Sequence, residues 1–564
     1  MNIDTSFVPL DLDGTSWSAL EPLYISLRER TIDDAADLER LLLDRSELDA
    51  HVSEAGNQIY AAMTCDTTDE AIEAAYLKFV EEVSPPLQQI SFEIDQRVAD
   101  SPFLSELSDH FDVLARDTKA SVKLFKEENV PLLVEDTKMG QQFGSISGAQ
   151  MVDFEGESRT MPWMGTIQED TNRDRREAAW RASWGRRSED REALDDLYDA
   201  MISNRTKIGV NAGYENYVGY AFASKGRFDY TPNDCKAFHQ AAEDVFVPLL
   251  RKIHEDRRQQ LGLDALRPWD LAVDSSGRAP LRPFRTEAEL VQGCSKMFTS
   301  LDSELGTLFA RLQDGTSLDL ESRPGKSPGG YQLHLDRQRK VFIFMNAAGT
   351  HDDLQTMLHE SGHAFHAMLS EHEELVHYRH SPIEFAEVAS MAMEKLAATQ
   401  LGMFYAPQDA ARAWREHLED CIRSITWVAT IDAFQHEIYR NPNLDRAGRT
   451  ALWLDLDQRF GVNCDWSGLE DIRPMQWQRQ LHLFEVPFYY IEYGIAQLGA
   501  LQLWRRSTSD HAGALNDYKS ALRLGGSKPL PELFAAAGIP FDFSPKTVQR
   551  VGETVAAELE ALPL

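Results

Sequence analysis

The sequence predicts a mainly α-helical protein with two helical lobes and one small β-sheet. Three observations carry that expectation. Apolar residues recur at three- and four-residue intervals along most of the chain, with acids and arginines between them. Strand-like runs are few and short. The 564 residues exceed what one core ordinarily organises. A soft boundary near residue 170 divides an N-terminal helical lobe, 1–170, from a larger lobe, 171–564, that holds the chemical motifs.

Taken in order, "DDAADLERLLLDRSELDAHVSEAGNQIYAAM" reads as a long amphipathic helix, and "GAQMVDFEGESRTMPWM" as a weak strand pair. At the boundary, "MGTIQEDTNRDRREAAW" passes from turn-rich sequence into a charged helix. The stretch "ESRPGKSPGGYQ" (321–332) is a Pro/Gly-rich loop in which Gly329 and Gly330 give a substrate-covering segment room to move. "GGYQLHL" and "KVFIFMN" (Lys340 to Asn346) form a hairpin across "DRQRK". The second strand's edge is then open to an extended peptide, which would bind by backbone pairing. Thr350 and Asp353 have capping-box spacing, so a helix begins at about His351 and runs through "HDDLQTMLHESGHAFHAML". Another opens in "SPIEFAEVASMAMEKLAATQ", with Ser381 as N-cap, Pro382 at the first helical position and Glu384 three residues after the cap. In "AWREHLEDCIRSITWVATIDAFQHEIYR", Leu418, Ile422, Ile425, Val428 and Ile431 line one face.

Composition excludes several partners. A net charge of −34 repels phosphate backbones, so no nucleic acid is expected. No apolar run is long enough to span a membrane, and the start lacks the basic-then-apolar pattern of an export signal. Cys65, Cys235, Cys294, Cys421 and Cys464 lie far apart with no CxxC pair. They read as reduced thiols in the cytoplasm, neither metal ligands nor a disulfide framework.

The chemistry concentrates in "HESGHAFH", residues 359–366. His359 and His363, four apart on a helix, project from one face and suit two nitrogens of a tetrahedral zinc ion. Glu360 beside them is directed toward the metal's open position, where it can take a proton from water and pass it to a leaving amine. A third ligand is required. The long metzincin pattern would need Gly at 366 and His at 369, and the chain has His366 and Leu369. Glu387 is the candidate: it lies among Phe385, Ala386, Val388, Ala389 and Ala392, where an ionised carboxylate is costly unless it meets a cation. Glu394, seven residues on, is placed to hold a ligand imidazole by its second nitrogen. His366 reads as a hydrogen-bonded packing residue, and His334, His372, His377 and His380 as surface or loop residues.

These residues resemble a known family. "FIFMNAAGTHDDLQTMLHESGHAFH", "IEFAEVASMAMEKL" and "LHLFEVPFYYIEYG", with a weaker match in "ISNRTKIGVNAGYENYVGYAF", are similar to oligoendopeptidase F and its thimet-oligopeptidase relatives, zinc metallopeptidases of the gluzincin type, over roughly residues 100 to 510. The resemblance implies two helical lobes flanking a deep channel that admits short peptides and excludes folded proteins. It places the third ligand on Glu387 and a supporting role on Glu394. It also implies that His482 and tyrosines of "FYYIEY" steady the oxyanion. Pro487 separates His482 from Tyr490 and Tyr493, which share a helix face. Tyr490 and Tyr493 are preferred over Tyr489, though the choice among the three stays open. The expected function is therefore a zinc-dependent oligoendopeptidase with one Zn(2+) per chain. Two alternatives stand: a dipeptidyl carboxypeptidase with the same chemistry, and a catalytically inactive peptide-binding relative.

Overall fold

The computed structural model describes residues 7–563. The first residues of the segment read for an export signal lie outside that range. The described chain is mainly α-helical, as expected.

It divides into two compact units, each discontinuous in sequence. The first comprises the described residues of Met1–Lys123, Arg282–Ala410 and Gly499–Phe541; the second those of Leu124–Leu281, Ala411–Leu498 and Asp542–Leu564. This differs from a single cut at residue 170. The physical reason is hydrogen bonding across long sequence distances. In the first unit, Asn57 donates to the His334 carbonyl at 2.9 Å and the Ser327 amide to the Thr64 carbonyl at 2.8 Å. These bonds tie the early helix Ala35–Cys65 to a sheet far along the chain. In the second, Asn129 and Asn204 side chains reach the carbonyls of Ile208 and Leu132, joining Val130–Gly148 to Arg191–Asn211.

The first unit's helical core is built from residues such as Leu20, Tyr24, Leu38, Leu41 and Leu48, with Leu375 and Tyr378 inserted from the later segment. Ala35–Cys65 starts under an Asp34 cap, whose side chain accepts from the Asp37 amide. Beside this core lies a three-stranded sheet. Lys340–Ala347 is its central strand, antiparallel to Tyr331–Leu335 and parallel to Leu318–Glu321. The hairpin is the expected one, and Tyr331 stacks on its register partner Phe344 with ring centroids 4.7 Å apart. The parallel neighbour was not expected. It pairs along Ile343–Ala347 on one side while Tyr331–Leu335 pairs along Lys340–Phe344 on the other, so both sides are paired at Ile343 and Phe344, and Met345–Ala347 keep one side outside the sheet pairing. The Pro/Gly-rich loop is also anchored rather than free. The Lys326 ammonium, fully buried, bonds Asp319 and the Glu321 carbonyl, and the Thr67 amide donates to the Gly325 carbonyl.

In the second unit, Met151–Phe154 pairs with Glu157–Thr160 about a tight turn in which Glu155 and Gly156 both take positive φ. The long helix Pro407–Arg440 buries the apolar stripe predicted for it: Leu418, Ile422, Ile425, Val428 and Ile431 are all inside.

Candidate metal centre

The central strand ends at Ala347, and the chain turns directly into the helix His351–Leu369. The turn is fixed by a reciprocal cap. Asp353 accepts from the amides of Ala348 and Thr350 at 2.8 and 2.7 Å, while the Asp353 amide donates to Thr350 Oγ1. His359 is the ninth residue of this helix, and His363 follows one turn later. The helix packs on Ile383–Leu396, and Gly362 lets the two approach closely. A Cβ at 362 would sit 2.6 Å from both the Ala389 carbonyl oxygen and Ser390 Cα. Alanine would gain about 1 kcal/mol of helix propensity there, yet the clash is with rigid backbone. Gly362→Ala is therefore expected to destabilise the protein by about 1–3 kcal/mol, read as a lower denaturant midpoint with metal content measured in parallel.

Close approach brings the three predicted ligands together. One donor atom from each of His359, His363 and Glu387 lies within 4.8 Å of the others. Glu387 Oε2 is 3.4 Å from His359 Nε2 and 3.8 Å from His363 Nε2, with the two rings nearly perpendicular. Good N–H···O bonds are shorter than about 3.2 Å. Ligand atoms roughly 2.1 Å from a tetrahedral ion stand about 3.4 Å apart. The trio is thus spaced for sharing an ion rather than for bonding one another, and its donor types fit zinc.

Outer contacts set the orientation. Glu394 Oε1 accepts from His359 Nδ1 at 2.6 Å, which turns Nε2 toward Glu387. Lys395, itself buried, places its ammonium 3.7 Å from the other Glu394 oxygen. Ser390 Oγ donates to Glu387 Oε2 at 3.0 Å. On this geometry, Glu394→Gln is expected to weaken metal affinity about 10–100-fold without unfolding the protein, measured by competition against a graded chelator.

Charge accumulates here. Burial disfavours the His359 cation, but Glu387 and Glu394 outweigh it and hold its pKa well above the ordinary value. Burial likewise opposes ionisation of Glu387, but His359 and His363 outweigh it and keep its pKa below the usual value. Burial takes His363 down to about 4. Glu360, 6% exposed, is pushed up to about 7 by burial, with Glu387 and Glu394 adding to the effect. Three glutamates gathered round two imidazoles leave negative charge that a divalent cation would neutralise.

Several expectations need correction. The helix Ile383–Leu396 is preceded by Pro382 in extended conformation, with no side-chain cap. Ser381 is not the N-cap: its hydroxyl turns to the Pro382 carbonyl. His366 is a packing residue, edge-on to Phe385, but its Nε2 lacks a hydrogen-bond partner among the described residues. His372, His377 and His380 are exposed. His334 is not a surface or loop residue; it lies half-buried on the strand Tyr331–Leu335, its ring 4.2 Å from that of His380.

The second unit contains His482 and the tyrosines. Leu481–Phe484 is a single helical turn, and Tyr490 and Tyr493 open the helix Tyr490–Ser507, longer than expected. The His482 ring lies 4.7 Å from Tyr490, 5.9 Å from Tyr493 and 6.0 Å from Tyr489, centroid to centroid. Burial, with Lys225 nearby, takes the His482 pKa down to about 4, so the ring is neutral. Gln480, which the sequence reading overlooked, decides its tautomer. The Trp427 indole donates to Gln480 Oε1, which turns the amide nitrogen to His482 Nδ1 at 2.7 Å. The ring's own proton then sits on Nε2, making that nitrogen a donor. Ser390 was overlooked as well. Its position three residues after Glu387 on one helix face was the available signal.

Comparison with known proteins gives a consistent result. The profile of peptidase family M3 matches residues 166–552, and that of the peptidase M3 N-terminal domain matches 7–125. A plasmid-encoded oligoendopeptidase F of Lactococcus lactis subsp. cremoris is 23% identical over 395 residues, 67% of this chain and 62% of the relative. An oligoendopeptidase F homolog of Borreliella burgdorferi is 25% identical over 303 residues, 51% of this chain and 49% of that one. The chain thus spans less than two thirds of the length of these relatives. Among solved structures, PZ peptidase A with an inhibitor superposes with a TM-score of 0.90 at 28% identity, covering 99% of each chain.

Proposed function

The chain belongs to peptidase family M3, and from that premise we propose that it is a zinc-dependent oligopeptidase that hydrolyses internal bonds of short peptides. The observation that carries the reading is the convergence of His359, His363 and Glu387 beside a buried Glu360. His359, His363 and Glu387 hold one zinc ion per chain. A zinc ion bound there supplies Lewis acidity to water and to the scissile carbonyl.

The chain's own residues do the rest. Glu394 keeps the His359 proton on Nδ1, so that Nε2 remains a ligand. Glu360 accepts a proton from the attacking water and delivers it to the departing amine, a task matched to a carboxyl whose burial raises its pKa to about 7. His482, through Nε2, and Tyr490 or Tyr493 donate to the oxyanion, each contributing on the order of 3 kcal/mol. This last assignment is supported by the family resemblance and by the donor state that Gln480 imposes on His482.

The five cysteines stand as free thiols, which supports the reducing cytoplasm as the compartment. None of the described helices is long and apolar enough to cross a membrane. The acidic net charge supports peptide rather than nucleic-acid partners.

The test is hydrolysis of a quenched fluorescent peptide before and after chelation, with products identified by mass spectrometry and activity restored by zinc. Activity indifferent to chelation would overturn the reading. A peptide and its C-terminal amide are expected to be cleaved at similar rates and at internal bonds. Loss of cleavage on amidation would instead mark a dipeptidyl carboxypeptidase.

A further inference from the structure

The second unit holds a buried cluster that peptide hydrolysis does not use. Cys235 and His239 lie four apart on the helix Pro232–Ala241, and Asp432 and His436 four apart on Pro407–Arg440. That spacing puts each pair on one helix face, and the two faces meet. All four are at least nine-tenths buried, from 0% exposed at Asp432 to 6% at His239. One donor atom from each of Cys235, Asp432 and His436 lies within 4.8 Å of the other two. His239 Nε2 is 2.8 Å from Asp432 Oδ2.

Protein partners do not satisfy this cluster. Asp432 Oδ1 and His436 Nε2 are buried without a hydrogen bond among the described residues, His436 Nε2 standing 3.4 Å from Asp432 Oδ2. Buried polar atoms left this way are uncommon and call for a cause. Phe488 and Phe222 wall the His436 ring at 5.2 and 6.0 Å, so that side of the cluster is apolar, and the buried Arg227 beyond Phe222 is paired with Glu492. A carboxylate oxygen facing such a space favours a cation.

We propose that this cluster is a second, structural metal site, which takes a divalent transition metal of the zinc class through Cys235 Sγ, Asp432 Oδ1 and His436 Nε2. His239, bonded to the other carboxylate oxygen, orients Asp432 as an outer partner. Thiolate, carboxylate and imidazole are donors that zinc and cobalt accept. On binding, the Cys235 thiol gives its proton to solvent, and thiolate plus carboxylate then balance the ion's two charges. The bound site is then neutral, which suits its burial. One contact has to change. Arg440 Nη2 lies 3.3 Å from His436 Nδ1, yet a ring bound through Nε2 carries its proton on Nδ1. Arg440 is partly exposed and already reaches Glu437 at 3.4 Å, so turning toward Glu437 frees the ring. The ion would cross-link two helices that no continuous stretch of chain holds together.

The experiment uses the full chain produced in medium where cobalt replaces zinc, with metal content and the near-ultraviolet spectrum read together. A sulfur-to-cobalt charge-transfer band can come only from a thiolate ligand, and the His359, His363 and Glu387 trio has none. Two cobalt ions per chain with that band are expected. Cys235→Ser should lower the content to one ion and abolish the band, whereas Glu387→Ala should lower the content and keep the band. Bound cobalt without the band in the unmodified protein overturns the proposal, and that reading needs no variant to fold. A band that survives Cys235→Ser overturns it equally.

Discussion

Replacing Glu360 by glutamine is expected to remove peptide hydrolysis almost entirely while leaving the bound zinc in place. The substitution keeps size and shape, so a side chain only 6% exposed is exchanged without opening a cavity. It removes the one property on which the proposed role depends, a carboxylate that can accept and return a proton. General acid–base catalysis by a positioned side chain contributes about 10²–10⁴-fold, and kcat should fall by that order. KM for a short peptide should change little, because Glu360 is assigned no contact with the resting substrate. Zinc per chain and the unfolding midpoint should stay unchanged, which separates loss of chemistry from loss of structure. A variant retaining full kcat would show that another group moves the proton.

Much of this centre was legible in the sequence because its determinants are local. A capping box is a four-residue pattern, and the structure shows it where Thr350 and Asp353 predicted it. Two histidines four apart must share a helix face. Glu387 stood out because a carboxylate among small apolar neighbours needs a cation, and the structure puts it between both rings. What remained hidden depends on contacts between distant segments. The strand Leu318–Glu321 is four residues long and pairs in parallel, so its sequence has no hairpin signal to announce it. With it hidden, the side of Lys340–Ala347 that it covers looked open. The division into discontinuous units follows from side-chain bonds such as Asn57 to His334, which composition does not record. Gln480 is instructive in another way. Its effect on His482 depends on which way an amide points, and Trp427, far earlier in sequence, decides that.

Glu387→Ala should do what Glu360→Gln does not and release the metal. Two imidazoles alone provide an incomplete donor set for tetrahedral zinc, which binds three protein ligands in catalytic sites. The loss is larger than for Glu394→Gln, since Glu394 supports a ligand and Glu387 is one. Affinity should therefore fall by well over the roughly 10–100-fold typical of an outer partner. Removing this carboxylate also removes the main contact opposing the desolvation of His363, whose pKa is already down to about 4. That ring stays neutral and ready to bind, so the defect cannot be blamed on protonation of His363. The checks are zinc per chain after dialysis against a weak chelator, and peptide hydrolysis with zinc added back. Glu387→Asp, which keeps the charge one methylene short, should recover part of the affinity because the Ser390 hydroxyl can still meet the carboxylate. If Glu387→Ala retains stoichiometric zinc and full hydrolysis, the third ligand lies elsewhere, and the short separations around Glu387 reflect an ordinary buried ion pair.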